Sequence, residues 1–120
     1  MTSARIATTN RALTYQPSTG TLSTTLFNET SSLDLKENLI PIKNALEKIL
    51  NLQGYIYDRR DGSRKNEPGL IAEDLEQIIP EVVTKDQNGK PESIAYQRLV
   101  TYLIESIKEL NQEIHQLKSR

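Results

Sequence analysis

Ser31-Ser32-Leu33-Asp34-Leu35-Lys36-Glu37-Asn38-Leu39-Ile40-Pro41-Ile42 divides the chain into two kinds of sequence. Upstream of it the residues are Thr-rich and read as extended. Downstream they are charged, compact and close in a long helix. The stretch also sets a hydroxyl, Ser31, ahead of an amine, Lys36. Ser31 or Ser32 equally suits a turn or a helix N-cap, so the stretch reads either as a reactive pair or as a boundary.

Working back from it, Met1 to Asn10 is polar with no periodic apolar face. Leu13 and Tyr15 alternate, as do Leu22, Thr24 and Leu26, around Gln16-Pro17-Ser18-Thr19-Gly20. Alternation of period two is the mark of strands, and Pro17 and Gly20 supply the dihedrals of a turn. The expectation is a strand pair, too short to be stable alone.

Working forward, Leu39, Ile42, Leu46, Ile49 and Leu50 recur at helical spacing, which predicts a helix from about Pro41 to Leu50 with Pro41 in its first turn. Tyr55-Ile56-Tyr57 reads as a strand and Asp58 to Pro68 as a charged loop. Its cations Arg59, Arg60, Arg64 and Lys65 are offset by Asp58, Asp61 and Glu67, which favours a solvated loop over a phosphate site. Glu73 to Ile79 reads as a short helix stopped by Pro80, with Leu75, Ile78 and Ile79 on one face. Its acids Glu73, Asp74 and Glu76 suit a helix N-terminus rather than a metal cluster. Glu81 to Thr84 and Ser93 to Tyr96 read as strands joined by a turn at Asn88-Gly89. That turn lacks the acidic ligands of a calcium loop.

From Gln97 to Lys118 neither Pro nor Gly interrupts. Val100, Leu103, Ile107, Leu110, Ile114 and Leu117 alternate in steps of three and four, an a/d heptad stripe. β-Branched residues at a with Leu at d favour a parallel dimer in isolation, but Ile104 at e widens the stripe, as suits a trimer or packing on the domain itself. Glu113 at g and Lys118 at the next e can pair between parallel chains. His115, at b, faces solvent.

The bulk composition bounds the function. The 120 residues are 36% hydrophobic with no Trp and one Phe, a lean core that points to stabilisation by other copies of the chain. A net charge of -1 argues against nucleic-acid or anionic-membrane binding. No Cys and a single His leave no His/Cys metal site, and no cofactor is expected. No apolar run is long enough for a signal peptide or a membrane span, so the chain is expected to be cytosolic when made.

Taken in order, Ser31-x-x-x-Leu35-Lys36-Glu37-Asn38-Leu39, Tyr55-x-Tyr57, Gly69-Leu70-Ile71-Ala72-Glu73-Asp74-Leu75, Pro80-Glu81-Val82-Val83, Ile94-x-Tyr96 and the closing heptads form a specific combination. It resembles the C-terminal intramolecular chaperone domain of bacteriophage tail spikes and tail fibres, the S74 peptidase family, over roughly Ser31 to Leu117. Two positions differ from the family pattern: Ser32, where Asp is usual, and Asp34, where a basic residue is common.

The resemblance implies an α+β homotrimer. Its parts would be a β-rich end of a fibre stem (1–30), a small mixed α/β chaperone domain (31–96) and a helix (97–120) forming a parallel coiled coil. The trimer interface would be Val100, Leu103, Ile107, Leu110, Ile114 and Leu117. The implied partners are the other copies and the rest of the fibre, spike or virion, with no nucleic acid and no membrane. The implied location is the host cytoplasm during assembly, and the virion tail if the domain is retained. Many members cut themselves once, as a single-turnover serine autoprotease. The scissile bond here would be Thr30–Ser31, with Ser31 as nucleophile and Lys36 as general base. An ordinary lysine, with a pKa near ~10.4, is neutral in about one copy in a few thousand at pH 7. A lysine base therefore needs desolvation or a neighbouring cation, which ties cutting to assembly. The alternative is a structural or adhesive module that keeps the fold and does not cut.

Overall fold

A computed structural model describes residues 12–120. The part of the expected 1–30 segment that precedes Ala12 lies outside them. The chain divides into two compact units, one up to Leu39 and one from Ile40 to Arg120. Mixed α and β elements, small two-stranded sheets and a C-terminal helix make up the fold.

In the first unit, β1 (Thr14–Gln16) pairs antiparallel with β2 (Thr21–Ser23), Tyr15 facing Leu22. The expected turn forms between them. Thr19 and Gly20 N–H both donate to Gln16 O, and Gly20 takes φ +68°, a conformation that suits glycine. The chain then runs without regular structure to a single 3-10 turn at Leu33–Leu35. Leu26, Phe27, Leu33, Leu35 and Leu39 are all exposed along this path.

The second unit holds the core: Ala45, Leu75, Ile79, Val82, Leu99 and Tyr102 are buried, with Ile42, Ile49, Leu52, Leu70, Ile78, Val83 and Ile94 packed around them. Fully burying a side chain such as Leu75 or Ile79 is worth about 1.5–3 kcal/mol. The first helix, α1 (Ala45–Leu50), begins later than the sequence predicts. Asn44 adopts a left-handed φ of +59°, which ends any right-handed helix upstream, so Pro41 lies outside the first turn. The orphan N–H of Ala45 is met from a distance, by Glu109 Oε2 at 2.8 Å. Ala45 is buried, and Leu50, expected on the apolar face, is exposed.

β3 (Tyr55–Tyr57) pairs with β4 (Glu67–Gly69), so Glu67 and Pro68 belong to a strand rather than to the charged loop. A two-stranded ribbon tolerates Pro68, because a proline on an edge strand leaves no ladder partner unmet. Glu67 gathers the hairpin's charges: Tyr57 Oη donates to Glu67 Oε2 at 2.6 Å, and Arg59 bonds the same oxygen at 2.9 Å. The Tyr57 hydrogen bond first, and the Arg59 bond second, hold the Glu67 carboxyl below its usual range.

α2 (Ala72–Glu76) has Glu73 and Asp74 in its first turn and buries Leu75; it ends before Ile79, which is buried in the turn that follows. Pro80 opens a 3-10 turn, Pro80–Val82, where a strand from Glu81 was expected. Pro80 presets φ for a turn, and Val82 is buried by it. β5 (Val83–Lys85) then pairs with β6 (Pro91–Ile94) across the Asn88-Gly89 turn. β6 stops at Ile94, because Tyr96 turns into a 3-10 segment (Tyr96–Arg98) that leads into α3 (Leu99–Lys118).

Against its own unit α3 presents Leu99, Tyr102 and Ser106, a face that borders the heptad stripe. The Tyr102 hydroxyl donates to Glu81 Oε2, and Lys48 Nζ sits 5.6 Å above its ring. Burial, then the Glu81 bond, push the Tyr102 hydroxyl up to about 12. The same bond draws the Glu81 carboxyl down.

Candidate functional site

The 3-10 turn at Leu33–Leu35 folds the chain back on itself. Leu35 N–H donates to Ser32 O and Lys36 N–H to Leu33 O, each at 3.0 Å. Ser32 is the N-cap, with extended backbone (φ −66°, ψ 147°), and its Oγ accepts from Asp34 N–H at 3.2 Å. The reversal returns the Lys36 side chain to Ser31, where Nζ donates to Oγ at 2.5 Å. The neighbouring serines are thereby separated in role: Ser32 Oγ is turned to the backbone, and Ser31 Oγ meets the amine. Thr30 precedes Ser31 without regular structure, and Thr30, Ser31 and Lys36 are all exposed to solvent in the single chain.

Chemically this is a primary alcohol in contact with an amine that can take its proton when neutral. Among the described residues no group of three or more His, Cys, Asp or Glu is placed to hold a metal ion.

A second feature lies on α3. Val100, Leu103, Ile107, Leu110, Ile114 and Leu117 are 45–66% exposed, a continuous apolar stripe that flanks the face of Leu99, Tyr102 and Ser106. Ile104 is also exposed, and Ile40, Pro41 and Ile42 line a groove with it. His115 is exposed, as its position in the heptad predicts. Among the described residues no helix is long and apolar enough to cross a membrane.

The motif residues of the second unit converge on one point. A Cβ placed on Gly69 would lie 2.8 Å from Tyr57 Oη and 2.9 Å from Tyr96 Oη. Both hydroxyls are already committed, Tyr57 to Glu67 and Tyr96 to Leu70 N–H, from which it accepts at 2.8 Å. Tyr57, Gly69 and Tyr96 are therefore one packing unit, written in three separate motifs.

Residues 31–84 match the family profile Peptidase_S74, described as chaperone of endosialidase. These residues belong to that family. The match opens at Ser31, the residue the geometry pairs with Lys36. The chain is also similar to long tail fiber proteins Gp37. It is 34% identical to that of Enterobacteria phage K3 over 97 residues, 75% of this chain and 8% of the relative. With that of Enterobacteria phage Ox2 it shares 32% over 112 residues, 88% of this chain and 44% of the relative. With that of Enterobacteria phage M1 it shares 38% over 93 residues, 71% and 37% respectively. The chain thus spans less than half the length of the curated relatives it matches.

Sequence reasoning paired Ser31 with Lys36 and drew the α3 stripe. It missed the inward face of α3, although Leu99, Tyr102 and Ser106 also recur in steps of three and four. It also missed Glu109 as the cap of α1, for which no local signal exists across 64 residues.

Proposed function

We propose that the chain is the trimerising intramolecular chaperone of a phage tail fibre or tail spike, acting in the host cytoplasm during assembly, and that it cuts itself once at Thr30–Ser31. The observation that carries the cutting is the 2.5 Å contact between Lys36 Nζ and Ser31 Oγ. Trimerisation is supported by the exposed a/d stripe of α3, whose burial between parallel copies would form a coiled coil through Val100, Leu103, Ile107, Leu110, Ile114 and Leu117.

The chemistry follows from the geometry. Neutral Lys36 takes the Ser31 hydroxyl proton as Oγ attacks the Thr30 carbonyl carbon. The tetrahedral adduct collapses with rupture of the Thr30–Ser31 C–N bond. The proton passes to the freed Ser31 amine, and an ester joins Thr30 to Ser31 Oγ. Water hydrolyses that ester, leaving a Thr30 carboxylate and restoring the Ser31 hydroxyl. The Ser31 hydroxyl is restored, but the bond it attacks is its own preceding peptide bond, so the chain cuts once.

Assembly is the reason for such a domain. Interwound β-fibres depend on non-local pairings that form slowly and expose strand edges meanwhile. A C-terminal clamp raises the effective concentration of three upstream segments and sets their register. A lysine works as a base once desolvated, so the exposed Ser31–Lys36 pair of a single chain becomes active only on assembly. The same exposure favours a second reading, a permanent clamp retained uncut in the virion tail.

Mass measurement of freshly made protein, with Lys36→Ala as control, tests the proposal. Fragments ending at Thr30 and beginning at Ser31, absent from the control, are expected. Uncut chains in both, with a trimer by light scattering, leave the clamp reading standing. Monomers in both overturn the two together.

A further inference from the structure

We infer that Ser32 is a positioning residue for the Ser31–Lys36 pair, holding by its side chain the turn that carries the amine to the hydroxyl. The inference rests on the proposed cut for its consequence and on the geometry for its substance. Ser31 and Lys36 lie in an exposed segment, and the turn between them is a single 3-10 turn, Leu33–Leu35, with no buried residue. No core packing fixes it. What holds it are the backbone bonds Leu35 N–H to Ser32 O and Lys36 N–H to Leu33 O, and one side-chain bond, Asp34 N–H to Ser32 Oγ at 3.2 Å.

A short turn of this kind is marginal by itself, because few hydrogen bonds repay the dihedrals fixed. A Ser, Asn or Asp cap satisfies one of the free N–H groups and alanine satisfies none. The same bond sets Ser32 Oγ against the backbone at Asp34 N–H, while Ser31 Oγ meets Lys36 Nζ. Two adjacent serines would otherwise compete for the lysine and leave the cut position ambiguous. With Ser32 Oγ accepting from Asp34 N–H, only Ser31 Oγ stands 2.5 Å from Lys36 Nζ. Placement of this quality matters for rate, since a misplacement of about 1 Å can cost roughly a hundredfold.

The test compares the wild type with Ser32→Ala, which removes the cap, and Ser32→Asn, which restores a capping oxygen without adding charge. In the full chain, the rate of cutting at Thr30–Ser31 is expected to fall roughly tenfold to a hundredfold in Ser32→Ala and to return close to wild type in Ser32→Asn. The trimer, read by light scattering, stays unchanged in all three. Equal rates in wild type and Ser32→Ala, or failure of Ser32→Asn to rescue, overturn the inference. If the wild type itself stays whole, the proposed cut fails, and the inference is decided by nuclear Overhauser contacts between the Lys36 side chain and Ser31. Contacts present in wild type and Ser32→Asn and lost in Ser32→Ala sustain it. Contacts absent from the wild type, or unchanged in Ser32→Ala, overturn it.

Discussion

At the scale of single residues, Gly69 shows how a motif becomes a physical demand. Two tyrosine hydroxyls, each already hydrogen-bonded, stand where its Cβ would be. Gly69→Ala must push back both tyrosine rings and strain their hydrogen bonds, so it should destabilise the domain by about 1–3 kcal/mol. A lowered Tm or denaturant midpoint checks this. Ser31→Ala and Lys36→Ala, by contrast, remove exposed groups and should leave the midpoint unchanged while abolishing the cut. The Ser31–Lys36 pairing was legible because it depends only on five residues of local chain. The division of labour between Ser31 and Ser32 was not, because either serine can cap a turn and only the fold of Leu33–Leu35 assigns the role. The family's usual Asp and the Ser found at position 32 are equivalent as caps, which makes this departure from the pattern conservative.

At the scale of elements, α3 carries two faces. One is spent on the core through Leu99, Tyr102 and Ser106, and the other is the exposed heptad stripe. Ile107→Asp places a charge in the middle of the stripe without touching the core face. It should convert the assembly to monomers in sedimentation analysis while the helical signal of the domain persists. The Tyr102–Glu81 bond joins α3 to the Pro80–Val82 turn, and its pH dependence has a definite sign. The Tyr102 hydroxyl is raised in the folded state from 10.0 to about 12, so its contribution is complete below pH 10 and is lost as pH rises from there towards 12. Glu81 and Glu67 are lowered, so theirs are present above the ordinary carboxylate range and lost as pH falls below it. Denaturant midpoints should therefore be level between these limits and fall on both sides, and Tyr102→Phe should flatten the alkaline fall. Helix α3 and the two turns at Gly20 and Gly89 were legible from period and turn chemistry. The start of α1 was not. It is set by the left-handed Asn44 and by Glu109, a partner supplied by tertiary structure.

At the scale of the whole molecule, the chain is rich in apolar surface that a single copy leaves uncovered. Ile40 is 83% exposed, and the leucines from Leu26 to Leu39 and the α3 stripe are exposed with it. The sequence foreshadowed this in its lean core, but composition cannot say which residues go uncovered; the fold assigns them. A permanent clamp and a self-releasing chaperone share this surface and differ in one covalent bond. The most direct measurement is a native mass spectrum of the freshly folded wild-type chain, which reads copy number and backbone integrity together. The account predicts a trimer whose chains begin at Ser31, with the 1–30 segments cut away, and an uncut trimer for Lys36→Ala. A wild-type monomer, or cleavage that persists in Lys36→Ala, would contradict it.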